Sequence, residues 1–158
     1  MSTPMPDVPE ARRRMMSAVR GKNTEPEIAV RRLAHRMGYR FRLHRSDLPG
    51  RPDLVFPSRR SVVEVRGCFW HQHEGCHRAS LPRTRRDWWA KKLAANVVRD
   101  ARNAAALAEK GWRVLVVWEC EVEDTAALNA RLQWVLGPPR LAEQPTKSRQ
   151  PLADYGLP

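Results

Sequence analysis

The chain has 158 residues, a net charge of +12 and a sequence pI near 10.9. That length fits one domain with a sizeable core. No apolar run is long enough to span a membrane, and the charge points to a polyanionic partner, DNA, RNA or an anionic membrane surface, unless it is only a basic surface. Arginine outnumbers lysine, and its planar fork suits phosphate oxygens.

In chain order, residues 1–20 read as a basic arm, with Arg12-Arg13-Arg14 followed by Met15 and Met16 as an apolar wedge for DNA or part of a frayed terminus. Met1 to Glu10 lacks the apolar centre of a secretory signal. A reduced, cytoplasmic chain is therefore expected. Thr24-Glu25-Pro26-Glu27 predicts a helix start with Thr24 as cap and Glu27 closing a capping box. Ile28, Leu33, Ala34 and Met37 give its apolar stripe, and Gly38 ends it. The alternation from Tyr39 to His44 predicts a first strand. Asp53 to Phe56 and Ser61 to Arg66 predict two more around the turn Pro57-Ser58-Arg59-Arg60. In the third, Glu64 and Arg66 share one face, and Val63 and Val65 the other.

The segment Gly67-Cys68-Phe69-Trp70-His71-Gln72-His73-Glu74-Gly75-Cys76 holds two of the chain's three cysteines. The third, Cys120, follows the apolar run from Trp112 to Trp118. If the strands before each segment are neighbours, Cys68, His73, Cys76 and Cys120 could form a tetrahedral zinc site. The alternatives are cysteines packed as small hydrophobes or a disulfide, which an odd count disfavours. Thr84 predicts the start of a long helix ending at Gly111. Its stripe Trp89, Leu93, Asn96, Asp100 places two polar residues on a face that begins with an aromatic. Trp70, Trp88 and Trp89 lie among basic residues and suit stacking or wedging against bases; Trp112 and Trp118 read as core. Asp124 or Thr125 caps a last helix through Leu136, and residues 138–158 read as a disordered tail after a single domain at 21–137. The order α, β-β-β, loop, α, β, α predicts an α/β fold around a central mixed sheet. Pro52-Asp53 followed by Glu64-Val65-Arg66 has the layout of a metal-dependent nuclease core, in which carboxylates at strand ends hold a cation against a phosphate.

Four segments together resemble one family: Leu48-Pro49-Gly50-Arg51-Pro52-Asp53, Gly67-Cys68-Phe69-Trp70-His71, Asn96-Val97-Val98-Arg99-Asp100 and Gly111 to Cys120. They are similar to the very short patch repair DNA mismatch endonucleases, over roughly residues 10 to 136 on a single-domain scale. The resemblance implies a restriction-endonuclease-like fold of the PD-(D/E)xK type with a structural zinc site. It implies magnesium-dependent nicking of one strand of double-stranded DNA beside a T:G mismatch left by deamination of 5-methylcytosine. A bacterial, nucleoid-associated monomer working with other DNA repair proteins is expected. Asp53 matches the magnesium-binding aspartate, His71 the catalytic histidine, and Asp100 the aspartate supporting it. Glu27 matches a glutamate of the site, and the Val65 carbonyl a metal-binding carbonyl. Cys68, His73, Cys76 and Cys120 match the zinc ligands, with His77 in reserve because the gap from His73 to Cys76 is one residue long for the family. Phe69, Trp70 and Trp89 match the wedge aromatics, and Asn96 is expected on the DNA side. Glu64 is acidic where relatives are commonly apolar; it either adds a magnesium ligand or pairs with an arginine. Other readings are a related nuclease with another DNA target and a zinc-stabilised DNA-binding protein without catalysis.

Overall fold

A computed structural model describes residues 9–11, 14 and 21–140. Met15, Met16, most of the arm and residues 141–158 lie outside the described residues. The ordered elements are helix α1 (Glu25–Arg36), strands β1 (Arg42–Leu43), β2 (Leu54–Phe56) and β3 (Ser61–Arg66), helix α2 (Arg86–Glu109), strand β4 (Arg113–Trp118) and helix α3 (Thr125–Leu136). The strands form one sheet in the order β1-β2-β3-β4. β1 to β3 pair antiparallel, and β4 joins β3 parallel after the α2 crossover. This is the expected mixed α/β architecture.

The two-residue period of the strands sorts their side chains to opposite faces. Leu54, Phe56, Val63, Leu115 and Val117 face α1 and α3, where Val30, Leu33, Leu128, Leu132 and Leu136 cover them. Val55 and Val62 face the other way, toward Leu48, Leu107 and Trp112. Helices therefore cover both faces, and β2 and the first half of β3 are buried on both. No helix among the described residues is long and apolar enough to cross a membrane.

Several local expectations change. β1 has two residues, not six: His44, at a left-handed φ of 45°, ends it, and Tyr39 to Phe41 do not pair. Tyr39 and Phe41 turn inward instead and pack edge-on against Phe56, at 6.2 and 5.8 Å between ring centroids. The buried stripe of α1 is Glu27, Val30, Leu33 and Ala34, so Ile28 and Met37 sit at its margins. Thr24 precedes α1 as expected, but its hydroxyl donates to Glu27 Oε1, and Glu27 Oε2 accepts from the Asn23 N–H. Glu27 thus takes the donors, and the reciprocal capping box does not form. Thr84 does not cap α2: Arg85, at φ 55°, holds the cap position and α2 begins at Arg86. At the last helix Asp124 is the cap, accepting from the Ala127 N–H at 3.0 Å.

Two glycines have clear work. Gly111, at φ 80°, stops α2 and turns the chain into β4. Gly50, at φ 73°, lies so close to α2 that a Cβ would fall 2.8 Å from Asn103 Nδ2. The turn before Asp53 is thereby seated on α2.

Leu132 is fully buried between α3 and the sheet. L132A is expected to lower unfolding free energy by about 2–5 kcal/mol. V98A, at a residue 67% exposed, should change it by less than about 0.5 kcal/mol. Denaturant unfolding of both variants checks this side of the core.

Candidate active site

The site lies along the ends of β2 and β3 and the loop that follows. Asp53 immediately precedes β2, and its Oδ2 accepts the Val65 N–H from β3 at 2.7 Å. Burial, opposed by that N–H and reinforced by the negative charges of Glu27 and Glu64, pushes the Asp53 carboxyl up to about 7. Glu27, on the first turn of α1, is buried and accepts from Asn23 N–H, the Thr24 hydroxyl and Arg31 Nη2. His44 lies between the two carboxylates, 3.7 Å from Glu27 and 3.8 Å from Asp53. Burial, the largest influence, lowers its pKa; Glu27 opposes this. Donor atoms of Glu27, His44 and Asp53 all lie within 4.8 Å of one another. The convergence of two carboxylates and an imidazole in a half-desolvated recess suits a divalent cation.

The loop from Gly67 carries a second group. His71 Nδ1 donates to Asp100 Oδ2 on α2 at 2.6 Å, which leaves Nε2 of the ring with its lone pair free. One turn earlier on α2, Asn96 Nδ2 donates to the Trp70 carbonyl at 2.9 Å, and its Oδ1 accepts from Arg99. The two polar residues on the α2 stripe therefore hold consecutive residues of the loop. The Asn96 amide, expected on the DNA side, has its partners within the protein.

Phe69, Trp70 and Trp89 form a cluster with centroids 5.2, 5.3 and 6.0 Å apart, and Trp88 adds an edge-on contact to Trp89 at 4.9 Å. All four rings are half-buried, so they belong neither to the closed core nor to free solvent. Trp112 is core, as expected; Trp118 is half-buried and stacks on His73 at 4.3 Å with an 8° interplanar angle.

Cys68, His73, Cys76 and Cys120 converge, their donor atoms within 4.8 Å of one another. His73 Nδ1 is 3.7 Å from the Cys68 sulfur and 3.4 Å from the Cys120 sulfur. A tetrahedral ion with typical zinc–sulfur and zinc–nitrogen bonds sets that edge at about 3.6 Å. The donor set and spacing therefore fit zinc. Burial and the nearby thiols Cys68 and Cys76 push the Cys120 thiol up to about 12, whereas the Arg78 N–H lowers Cys76. Three thiolates gathered here without a cation would repel one another. His77 begins a short 3-10 turn (His77–Ala79) and is exposed, outside the cluster.

Glu64 pairs with Arg66 at 2.5 Å, the arginine alternative raised by the sequence, and is not in the cluster at Asp53. His44 and Arg31 are the residues that sequence reasoning missed. His44 reads as one more step of an alternating strand, and only its left-handed backbone turns it inward.

The family model for DNA mismatch endonuclease Vsr matches residues 7–78. The type II nicking enzyme V.XorIIP of Xanthomonas oryzae pv. oryzae is 61% identical over 130 residues, covering 82% of this chain and 95% of that protein. The DNA mismatch endonuclease Vsr of Escherichia coli is 39% identical over 132 residues, covering 80% and 84%. The type II nicking enzyme V.NaeI of Lentzea aerocolonigenes is 40% identical over 123 residues, covering 73% and 72%. With this breadth of identity over a mixed α/β fold, the chain belongs to the Vsr family of DNA mismatch endonucleases.

Proposed function

We propose that this enzyme nicks one strand of double-stranded DNA beside a T:G mismatch produced by deamination of 5-methylcytosine. It hydrolyses the phosphodiester with magnesium at Asp53 and so starts very short patch repair. The observation that carries this reading is the loop from Gly67 to Cys76. Within four consecutive residues it presents Cys68 to the sulfur cluster, Phe69 and Trp70 to the aromatic cluster, and His71 to Asp100. A restriction-endonuclease-like core supports it, acting as a monomer in the bacterial cytoplasm, at the nucleoid, with other repair proteins completing the patch.

The chemistry assigns each side chain a task. Asp53 and the Val65 carbonyl hold magnesium, which when bound neutralises charge developing on the phosphate and acidifies a water. Val65 contributes through its main chain, so its apolar side chain is no obstacle to this role. His71 accepts the proton of the attacking water at Nε2, while Asp100 fixes the ring tautomer and stabilises the charge it acquires. Glu27 keeps negative charge beside Asp53, which strengthens cation binding. Cys68, His73, Cys76 and Cys120 hold a structural zinc whose four protein ligands leave no position for a reacting water. Phe69, Trp70 and Trp89 wedge beside the mismatch, where opening a base step costs less than in a fully paired stack. Exposed arginines bind the phosphates.

A second reading follows from the name of the V.XorIIP relative, a type II nicking enzyme: nicking in the service of a restriction system, with another DNA target. One assay separates the two. End-labelled duplexes carrying T:G, T:A, C:G and other mismatches are incubated with and without magnesium. The proposal expects a single-strand nick beside T:G only, dependent on magnesium. H71A and D53N should slow it by roughly 100-fold or more. Equal nicking of the paired T:A duplex overturns mismatch specificity, and near-normal cleavage by either variant overturns the residue assignment.

The raised carboxyl of Asp53 gives an independent check. Its folded value, about 7, exceeds the ordinary aspartate value of about 3.9. Between those values the folded chain holds a proton that the unfolded chain lacks. The contribution of Asp53 to stability is therefore fully present below about pH 4 and is lost as pH rises through about 7. D53N, measured by denaturant unfolding with zinc retained and no added magnesium, is expected to be more stable than the parent at pH 8 by about 2–4 kcal/mol. The difference should close toward pH 4. A gap independent of pH would contradict the buried, proton-holding state of Asp53.

A further inference from the structure

His44 is the least explained member of the cluster at Asp53. It ends β1, whose residues Arg42 and Leu43 are exposed, yet its own side chain is only 24% exposed. The left-handed backbone that turns it inward is uncommon for a residue with a Cβ. Its two nitrogens face different carboxylates: Nδ1 lies 3.8 Å from Asp53 Oδ1, and Nε2 lies 3.7 Å from Glu27 Oε2.

The two carboxylates are not equivalent. Glu27 Oε2 already accepts from Asn23 N–H and Arg31 Nη2, and Oε1 from Thr24. Asp53 has Oδ2 on the Val65 N–H, which leaves Oδ1 turned to the imidazole. Two donors bound to one ion at about 2.1 Å lie between roughly 3 and 4.2 Å apart. The gap from Asp53 Oδ1 to His44 Nδ1 falls in that range. A ligating histidine usually directs its other nitrogen to a carboxylate, which orients the ring. Glu27 stands at that second position.

We propose that His44 Nδ1 joins Asp53 Oδ1 as a donor to the divalent cation of the nuclease site, with Glu27 orienting the ring from Nε2. This rests on the reading of Asp53 as a cation ligand. Without the cation, Arg31 Nη2 lies 2.9 Å from Nε2. A guanidinium only donates, so Nε2 accepts and the proton is on Nδ1. On ligation Nδ1 gives up that proton and Nε2 takes one up, directed to Glu27 Oε2; the ring stays neutral. Arg31 Nη2, which donates to Nε2 in the cation-free state, then turns away from the ring, while Nη1 keeps its contact to the Asn23 side chain. An imidazole donor favours transition metals over magnesium. The site should therefore prefer Mn2+ to Mg2+ more strongly than an all-oxygen site.

The full-length, zinc-loaded chain is titrated with Mn2+ and with Mg2+ by calorimetry, and the Mn2+ form is examined by pulsed EPR for modulation from a bound nitrogen. Mn2+ is a suitable probe because it stands lowest in the affinity order and does not displace zinc from thiolates. The proposal expects nitrogen modulation in the parent and its loss in H44Q and H44A. The ratio of Mn2+ to Mg2+ affinity should fall by about tenfold or more in both. Modulation that is absent from the parent or survives in both variants overturns the role of His44. D53N separates the two levels of the argument. Binding lost in D53N without a nitrogen signal in the parent leaves Asp53 as the cation ligand and removes only His44. Binding unchanged in D53N, or no binding by the parent, removes the Asp53 reading itself and His44 with it.

Discussion

The structure depends on how the loop from Gly67 to Cys76 is held. It follows β3 directly and contains little that could anchor it by burial, since Cys68 is its only fully buried residue. Its own backbone bonds, such as His71 N–H to Gly67 O and His73 N–H to Cys68 O, only shape its turns. What fixes it is polar and comes from two sides. Cys120, just after β4, meets Cys68, His73 and Cys76 on one side. Asn96 and Asp100, one turn apart on α2, take Trp70 and His71 on the other. β4 and α2 are the two elements of the crossover after β3, so the parallel β3–β4 pairing brings both supports to the loop.

This placement trades stability for chemistry. Glu27 and Asp53 are negative groups taken out of water near each other, and Asp53 pays in a carboxyl raised to about 7. Arg31 offsets part of the charge by binding Glu27, at the cost of a buried Nε without a partner. The three sulfurs show the same conflict, with burial driving Cys120 toward its thiol. Both clusters are uncomfortable as bare protein and suited to cations. The apolar core beneath has no such conflict: β2 and the first half of β3 are buried on both faces and form a firm base for the half-buried ends that carry the site.

Periodicity made most of the core legible. The alternation in Ser61 to Arg66 correctly separated the two faces of β3, and the spacing of Trp89, Leu93, Asn96 and Asp100 correctly marked a helix face with unusual polar positions. The meeting of Cys68, His73, Cys76 and Cys120 followed from cysteine spacing once the two strands were taken as neighbours. Local propensity failed where tertiary contacts chose otherwise. Thr24 reads as a cap, but the buried Glu27 carboxylate captures its hydroxyl. Tyr39 to Phe41 read as strand, but their rings gain more by packing on Phe56. His44 was not legible as part of a site, because a positive φ in a histidine leaves no sequence signal. The resemblance supplied roles for Asp53 and His71 that no pattern of hydrophobicity contains.

The proposed structural zinc at Cys68, His73, Cys76 and Cys120 would clamp the loop that carries the aromatics and His71. Measuring zinc by elemental analysis, together with thermal unfolding before and after chelation, tests it most directly. The expected result is one zinc per chain and a marked fall in melting temperature when it is removed, with C68S and C120S destabilised in the same way. A chain that purifies without zinc, or unfolds at the same temperature after its removal, would contradict it.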